Sequence, residues 1–151
     1  MKFITNAGSD DHGKLINQLI LSSSTIVMCS GWIKLEGIRE ILPSLDKAIR
    51  KNNAKITIFS NKKHTEAAVH RVLKKYDNIR HIILDNTQKY LHSKIYYFQC
   101  GTKFTTIIGS ANITKGGLLS NEELSVKFSG QCDTQEHNDV IQYFNAISEN
   151  I

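Results

Sequence analysis

Proline is nearly absent from this chain of 151 residues, which holds one Pro, Pro43, and only 9 Gly. Linkers and disordered arrays are rich in both residues, so the composition excludes them, and no repeat or low-complexity tract appears. Cysteine is scarce as well. Cys29, Cys100 and Cys132 are odd in number and far apart, which fits neither a disulfide framework nor a CxxC metal site. Cys29 lies in the apolar run TIVMC and reads as a buried thiol. Long hydrophobic runs are missing too. The opening MKFITNAGSDDHGK has no apolar core like that of a signal peptide, and no stretch reaches the ~18 residues that a membrane span needs. These absences set the expectation of a reduced, cytoplasmic protein with no membrane partner.

What is present suits one globular domain over 1–151. The chain is 40% hydrophobic, and at this length a domain buries roughly 70% of its unfolded surface. The net charge of +5 and pI of about 9.1 fit an anionic partner, nucleic acid or acidic lipid. They fit a solvated basic face equally well. Arg50-Lys51, Lys62-Lys63 and Lys74-Lys75 fall near expected element ends, where cations complement helix C-termini.

Periodicity places a short strand at 2–5 and a helix over 11–22, the latter from Leu15, Ile16, Leu19 and Ile20. A buried strand at 25–31 precedes a helical stripe of Ile38, Ile41, Leu42, Leu45 and Ile49, with Pro43 inside it as a kink or a new helix start. A strand at 54–60, a helix over 64–76 and a strand at 79–85 follow. Strands at 91–99 and 103–110 form a hairpin across Cys100-Gly101-Thr102. A strand at 123–130 and a helix over 133–148 complete the chain. Alternating strands and helices in the first half argue for parallel βαβ units, and the hairpin makes the sheet mixed. The expected fold is α/β: a mixed, mostly parallel sheet with helices on both faces. Ligand sites in such sheets gather beyond the C-terminal ends of strands.

The stretch LHSKIYYF carries the chemistry. His92 and Lys94 are two apart, so a strand would point both to one face. An imidazole can act as nucleophile or general acid/base near neutral pH, and an ammonium offers charge to a phosphoryl oxygen. Ser110 and Asn112, in Gly109-Ser110-Ala111-Asn112, add neutral donors at a strand end. A tight Gly116-Gly117 turn leads to Asn121-Glu122-Glu123. Glu123 is placed to orient an imidazole through its second nitrogen. Glu122, its strand neighbour, points away, and Ser93 reads as a packing residue. Trp32, after Ser30-Gly31, is expected on the same rim as the site, to stack on a base or to fill a core or dimer contact. His64 and His70 have no metal-ligand spacing.

HSK, GSAN fifteen residues after Lys94, Gly-Gly and NEE together resemble the phospholipase D superfamily pattern. That pattern is HxK, a GSxN element and a downstream Asn-x-Glu, and His92, Lys94, Ser110, Asn112, Asn121 and Glu123 fall on it across residues 91–124. One departure stands out: Gln99 occupies the place of the usual Asp, five residues after the Lys. In this the chain resembles nuclease-type members, including metal-independent restriction endonuclease domains, more than the lipases.

The resemblance implies a phospholipase D-like α/β/α sandwich and a metal-free phosphodiesterase that passes through a phosphohistidine, with no cofactor. It implies catalytic roles for His92, Lys94, Ser110, Asn112 and Glu123, with Asn121 binding substrate; Ser30 and Trp32 are expected to bind substrate from their place after the second strand, on the same edge. Such chemistry takes two histidines. His12-Gly13-Lys14 formally matches HxK, but it opens a helical stripe and no GSxN follows, so it reads as a helix N-terminus. Each chain then supplies half a site, and a homodimer completes it. Nucleic acid, DNA ahead of RNA, is the expected substrate. The competing readings are a nucleic-acid-binding dimer that does not cleave and a phospholipase or phosphatidyltransferase.

Overall fold

The computed structural model describes residues 1–85, 87 and 89–149. Seven strands form one sheet in the order β1-β7-β6-β5-β2-β3-β4. They are β1 (Lys2–Thr5), β2 (Thr25–Ser30), β3 (Lys55–Asn61), β4 (Ile79–Leu84), β5 (Lys94–Cys100), β6 (Lys103–Gly109) and β7 (Leu124–Gln131). β2, β3 and β4 pair in parallel, whereas β5, β6, β7 and β1 join by antiparallel pairing. Only β5 and β7 run against the other five strands, so the sheet is mixed as the alternation and the hairpin require.

Among the described residues four α-helices flank it: α1 (His12–Leu21), α2 (Leu35–Asn52), α3 (Ala67–Leu73) and α4 (Gln135–Ser148). α1 starts where the Asp11 side chain accepts the Lys14 N–H, which satisfies an otherwise orphaned donor. Pro43 neither ends nor divides α2. It is exposed, and the buried stripe of Ile38, Ile41, Leu45 and Ala48 holds the helix on both sides of it. The third helix is shorter than its periodicity predicts. A turn of 3₁₀-helix at Lys62–His64 precedes it, and Asn61 caps that turn by accepting the Lys63 N–H.

The two faces of the sheet are covered unequally. On one, α1, α2 and α3 pack Ile16, Ile20, Ile41, Leu45 and Leu73 against Ile26, Met28, Ile58, Tyr96 and Phe98. On the other, α4 alone packs Val140, Phe144 and Ile147 against Phe59, Ile95, Tyr97 and Phe104. β5 is therefore a central strand buried on both sides, with Ile95, Tyr96, Tyr97 and Phe98 all in the core. It begins at Lys94, so His92 lies in the segment before it rather than within it. Among the described residues no helix is long and apolar enough to cross a membrane.

Register brings one rim of the sheet together. Ser30, ending β2, pairs with Ser60 of β3 and with Lys94, which begins β5. Gly109, ending β6, pairs with Ser125 near the start of β7. Antiparallel neighbours thus deliver strand beginnings to the same rim as the ends of β2 and β6, and every candidate site residue arrives there.

Candidate active site

Lys94 is half-buried, and its ammonium donates to the His92 carbonyl at 2.7 Å while lying 3.3 Å from His92 Nε2. Burial lowers the Lys94 pKa, and the Glu123 carboxylate opposes that shift. His92 is exposed. The segment carrying it passes close over the end of β2, where a Cβ on Gly31 would sit 3.0 Å from the Leu91 carbonyl oxygen.

Ser110 and Glu123 form a pair. The Ser110 hydroxyl donates to Glu123 Oε2 and accepts the Leu124 N–H at 3.0 Å, while the Ser110 N–H donates to the Leu124 carbonyl at 3.1 Å. Gly109 makes this possible, because a Cβ there would collide with Ser125 Oγ and the Leu124 carbonyl. Among the described residues the Glu123 carboxylate bonds to Ser110, not to His92 as the sequence pattern suggests.

Asn112 is fixed from behind. Its Oδ1 accepts the Trp32 backbone N–H at 3.2 Å and the Ser30 hydroxyl at 3.3 Å. With the oxygen held, the amide nitrogen remains as the donor to an incoming oxygen. The assignment of Ser30 to substrate is corrected by the same geometry. Ser30 is fully buried, donates to the Trp32 carbonyl at 2.7 Å and accepts the Ile113 N–H at 3.0 Å. A hydroxyl ending a central strand is enclosed by the loops that follow β2 and β6, so Ser30 ties those loops together. Tyr96 adds a second tie, its hydroxyl donating to the Ala111 carbonyl at 2.6 Å from within the core.

Asn121 is exposed. Its N–H closes a π-helical turn at Gly116–Ser120 onto the Gly116 carbonyl at 2.7 Å, and its side chain would obstruct any Cβ on Gly116. Trp32 is 40% exposed and stacks on His64, centroids 4.2 Å apart and planes 12° from parallel. Glu122 is exposed and, like Glu123, precedes β7, so strand alternation does not set its direction. Ser93 accepts from the Tyr143 hydroxyl and lies 3.4 Å from Cys29 Sγ, a packing position. Burial pushes the Cys29 thiol up to about 11. Gln99, at the departing position, accepts from the Tyr97 hydroxyl and donates to the Gly101 carbonyl, so it steadies the hairpin turn.

His12 does open a helix, but its imidazole is fully buried. Nδ1 is 2.7 Å from Asn6 Oδ1 and Nε2 is 2.8 Å from Ser125 Oγ. Asn6 Nδ2 donates to the Gly117 and Asn121 carbonyls, which settles the orientation of that amide. Nδ1 therefore carries the proton and Nε2 accepts from Ser125. Sequence reasoning missed this support behind the Ser110–Glu123 pair. The Asn6, His12 and Ser125 positions have no motif in common, only proximity in the fold. His64 and His70 are engaged separately, with Trp32 and with His81. Among the described residues no group of three or more His, Cys, Asp or Glu is placed to hold a metal.

Beside His92 and Lys94 opens a groove of about 810 Å³, lined by Ile95, Ile108, Phe128, Val140 and Tyr143 on its apolar side. It runs between the first half of α4, which adds Glu136 and Asp139 to its wall, and strands β5, β6 and β7.

This architecture is shared with known proteins. It superposes on NucT from Helicobacter pylori with a TM-score of 0.67 and 18% identity, covering 90% of this chain and 86% of that one. It superposes on Nuc, a phospholipase D family member from Salmonella typhimurium, with a TM-score of 0.71 and 17% identity, covering 96% and 91%. Yeast tyrosyl-DNA phosphodiesterase matches with a TM-score of 0.61 and 13% identity, over 95% of this chain but 36% of that one. No curated protein sequence matches. Residues 15–148 match the family described as cardiolipin synthase, PLD-like domain, and with nearly the whole fold inside that match, the chain belongs to the phospholipase D-like family.

Proposed function

We propose that the protein is a phosphodiesterase that cleaves nucleic acid, DNA ahead of RNA, through a phosphohistidine at a site shared by two copies of the chain. The observation that carries this reading is the convergence on one rim of His92 and Lys94, the Asn112 amide with its oxygen already held, and the Ser110–Glu123 pair. Three different strand junctions supply these groups, which a solvated polar rim does not require.

In the proposed reaction His92 Nε2 attacks phosphorus. A P–N bond forms as the bond to the leaving oxygen breaks, and the second copy's imidazole protonates that oxygen. The same imidazole then takes a proton from water, whose oxygen displaces the phosphohistidine nitrogen. Lys94 and Asn112 from each copy hold the non-bridging oxygens, where cationic and amide donors match the charge that develops. Ser110 and Glu123 act as a unit, because their hydrogen bond fixes the carboxylate near Lys94. Asn121 lines the approach. Charge of +5 favours a polyanionic substrate.

Sharing follows from the count. His12 is the other histidine in an HxK pattern, yet both its ring nitrogens are engaged inside the protein. The half-covered face supplies the surface: the apolar groove reaches His92, and Ile108 within it is 44% exposed. A second copy seated there brings the two His92 side chains together. Names among the structural relatives, a tyrosyl-DNA phosphodiesterase and a phospholipase D family member, support phosphodiester chemistry. The three free cysteines suit a reducing, cytoplasmic setting. The same groove favours a second reading, a phosphatidyl substrate whose acyl chain lies along it.

The test is cleavage of single- and double-stranded DNA in excess EDTA by wild type and His92→Ala. Cleavage that persists in EDTA and is lost in the variant supports the mechanism. Cleavage abolished by EDTA, or equal in the variant, overturns it. Hydrolysis of phosphatidyl vesicles without DNA cleavage moves the substrate to lipid, and tight DNA binding with no cleavage leaves a binding dimer.

A further inference from the structure

Four rings form a continuous series from the reacting histidine outwards. Tyr90 lies 6.1 Å from His92, His64 lies 5.8 Å from Tyr90 in an edge contact, and Trp32 stacks on His64 at 4.2 Å. Tyr90, next to His92, and Trp32, at the outer end, stay open to solvent, 49% and 40% exposed. Large aromatics left at the surface beside a charged site are costly unless they meet a partner, since the apolar ring faces stay wet.

The outer end is rigidly built rather than draped over the surface. Ile33 makes bridges to both Thr65 and Ile113. Its N–H donates to the His64 carbonyl at 3.1 Å, and the Lys34 N–H donates to the Ile113 carbonyl at 3.0 Å. The Trp32 N–H holds Asn112. The platform and the phosphate-facing amide are thus parts of one connected loop pair. Lys34 Nζ lies over the Trp32 ring, 5.7 Å from its centroid, a cation on a flexible stem that an entering base displaces towards its own phosphate, and Lys63 and Lys89 are exposed on the neighbouring segments. Aromatic faces flanked by cations are the chemistry of base stacking with backbone neutralisation.

We propose that Trp32, His64 and Tyr90 form a stacking subsite for an unpaired base flanking the scissile phosphate, which makes single-stranded nucleic acid the preferred substrate. The proposal rests on the nuclease reading above and specifies its substrate. A duplex hides its base faces in the helical stack and presents only edges and backbone, so a ring platform gains nothing from it. An unpaired strand offers one base face per nucleotide, whatever the sequence. The subsite therefore selects strandedness without selecting sequence.

Trp32 is the only tryptophan, so its fluorescence reports the platform directly. The experiment titrates the His92→Ala protein with a short oligothymidylate, with an abasic strand of equal length and with a duplex. Saturable quenching by oligothymidylate alone is the expected result. Equal quenching by the abasic strand or the duplex, or none by any of them, overturns the proposal. Binding of a labelled oligothymidylate is then compared in Trp32→Ala and Trp32→Phe. A weakening of roughly tenfold or more in the first, with most affinity restored in the second, is expected for stacking. Equal loss in both overturns it. Wild-type cleavage of the same strand separates the two readings. Base-dependent quenching without cleavage keeps the platform and removes the nuclease. Cleavage with base-independent quenching keeps the nuclease and removes the platform.

Discussion

Ser30 shows how a side chain can matter to a site it never reaches. Its hydroxyl accepts the Ile113 N–H and donates toward Trp32 and Asn112 from full burial. Ser30→Ala leaves the Ile113 N–H unpaired in the interior, which costs about 1–3 kcal/mol. Urea unfolding should show that loss, and cleavage should fall as Asn112 loosens. A stability equal to wild type would refute the assignment. Histidines His12 and His81 make a second prediction at this scale. Burial lowers both, His81 to about 4. His81 Nε2 meets Ser60 Oγ at 2.8 Å and its Nδ1 meets His70 Nδ1 at 3.1 Å, a contact that two protonated rings cannot make. Because the folded pKa lies below the unfolded value of 6.5, the unfolded chain binds a proton first as pH drops. Stability is therefore flat above 6.5 with respect to these groups and declines from there towards about 4. Urea midpoints against pH should show this slope, and His81→Gln should flatten it.

At the scale of elements, the beginnings and ends of strands decide the site. The junction of β6 with β7 depends on Gly109, where backbone and the Ser125 hydroxyl leave no room for a Cβ. Gly109→Ala should destabilise the fold by about 1–3 kcal/mol and reduce cleavage by moving Ser110 off Glu123. Thermal unfolding beside an activity assay checks both, and a stable, fully active variant would show that the strands part freely. Periodicity located α1, α2 and α4 well because each buries a clear stripe, and it overran α3, which buries only Val69 and Leu73. It placed the start of β5 three residues early, since Leu91 is buried like a strand residue while standing in the preceding loop. Tyr96 and Phe98 share the Lys94 face and are buried as well, because β5 is central and both its sides meet helices.

At the scale of the whole molecule, one face of the sheet carries three helices and the other one. The uncovered portion meets the solvent with Ile108 and ends at His92. If a second copy covers it, Ile108→Glu places a charge in an apolar contact and should convert a dimer to a monomer in sedimentation. Cleavage should drop at least tenfold with it, because each half-site then lacks its second imidazole. A monomeric wild type with full activity would refute the shared site.

The HSK, GSAN and NEE segments determined by themselves which residue types assemble and what chemistry they suit, because motif spacing is a local property of the chain. The alternation of strand and helix likewise fixed the class of fold. Tertiary structure alone decided how those groups are used. It turned Ser30 inwards, gave Glu123 to Ser110, sealed His12 against Ser125 and lined Tyr90, His64 and Trp32 up beside His92. These partners are joined by antiparallel register and loop packing between distant segments, and nothing in the local sequence encodes which side chain will face which.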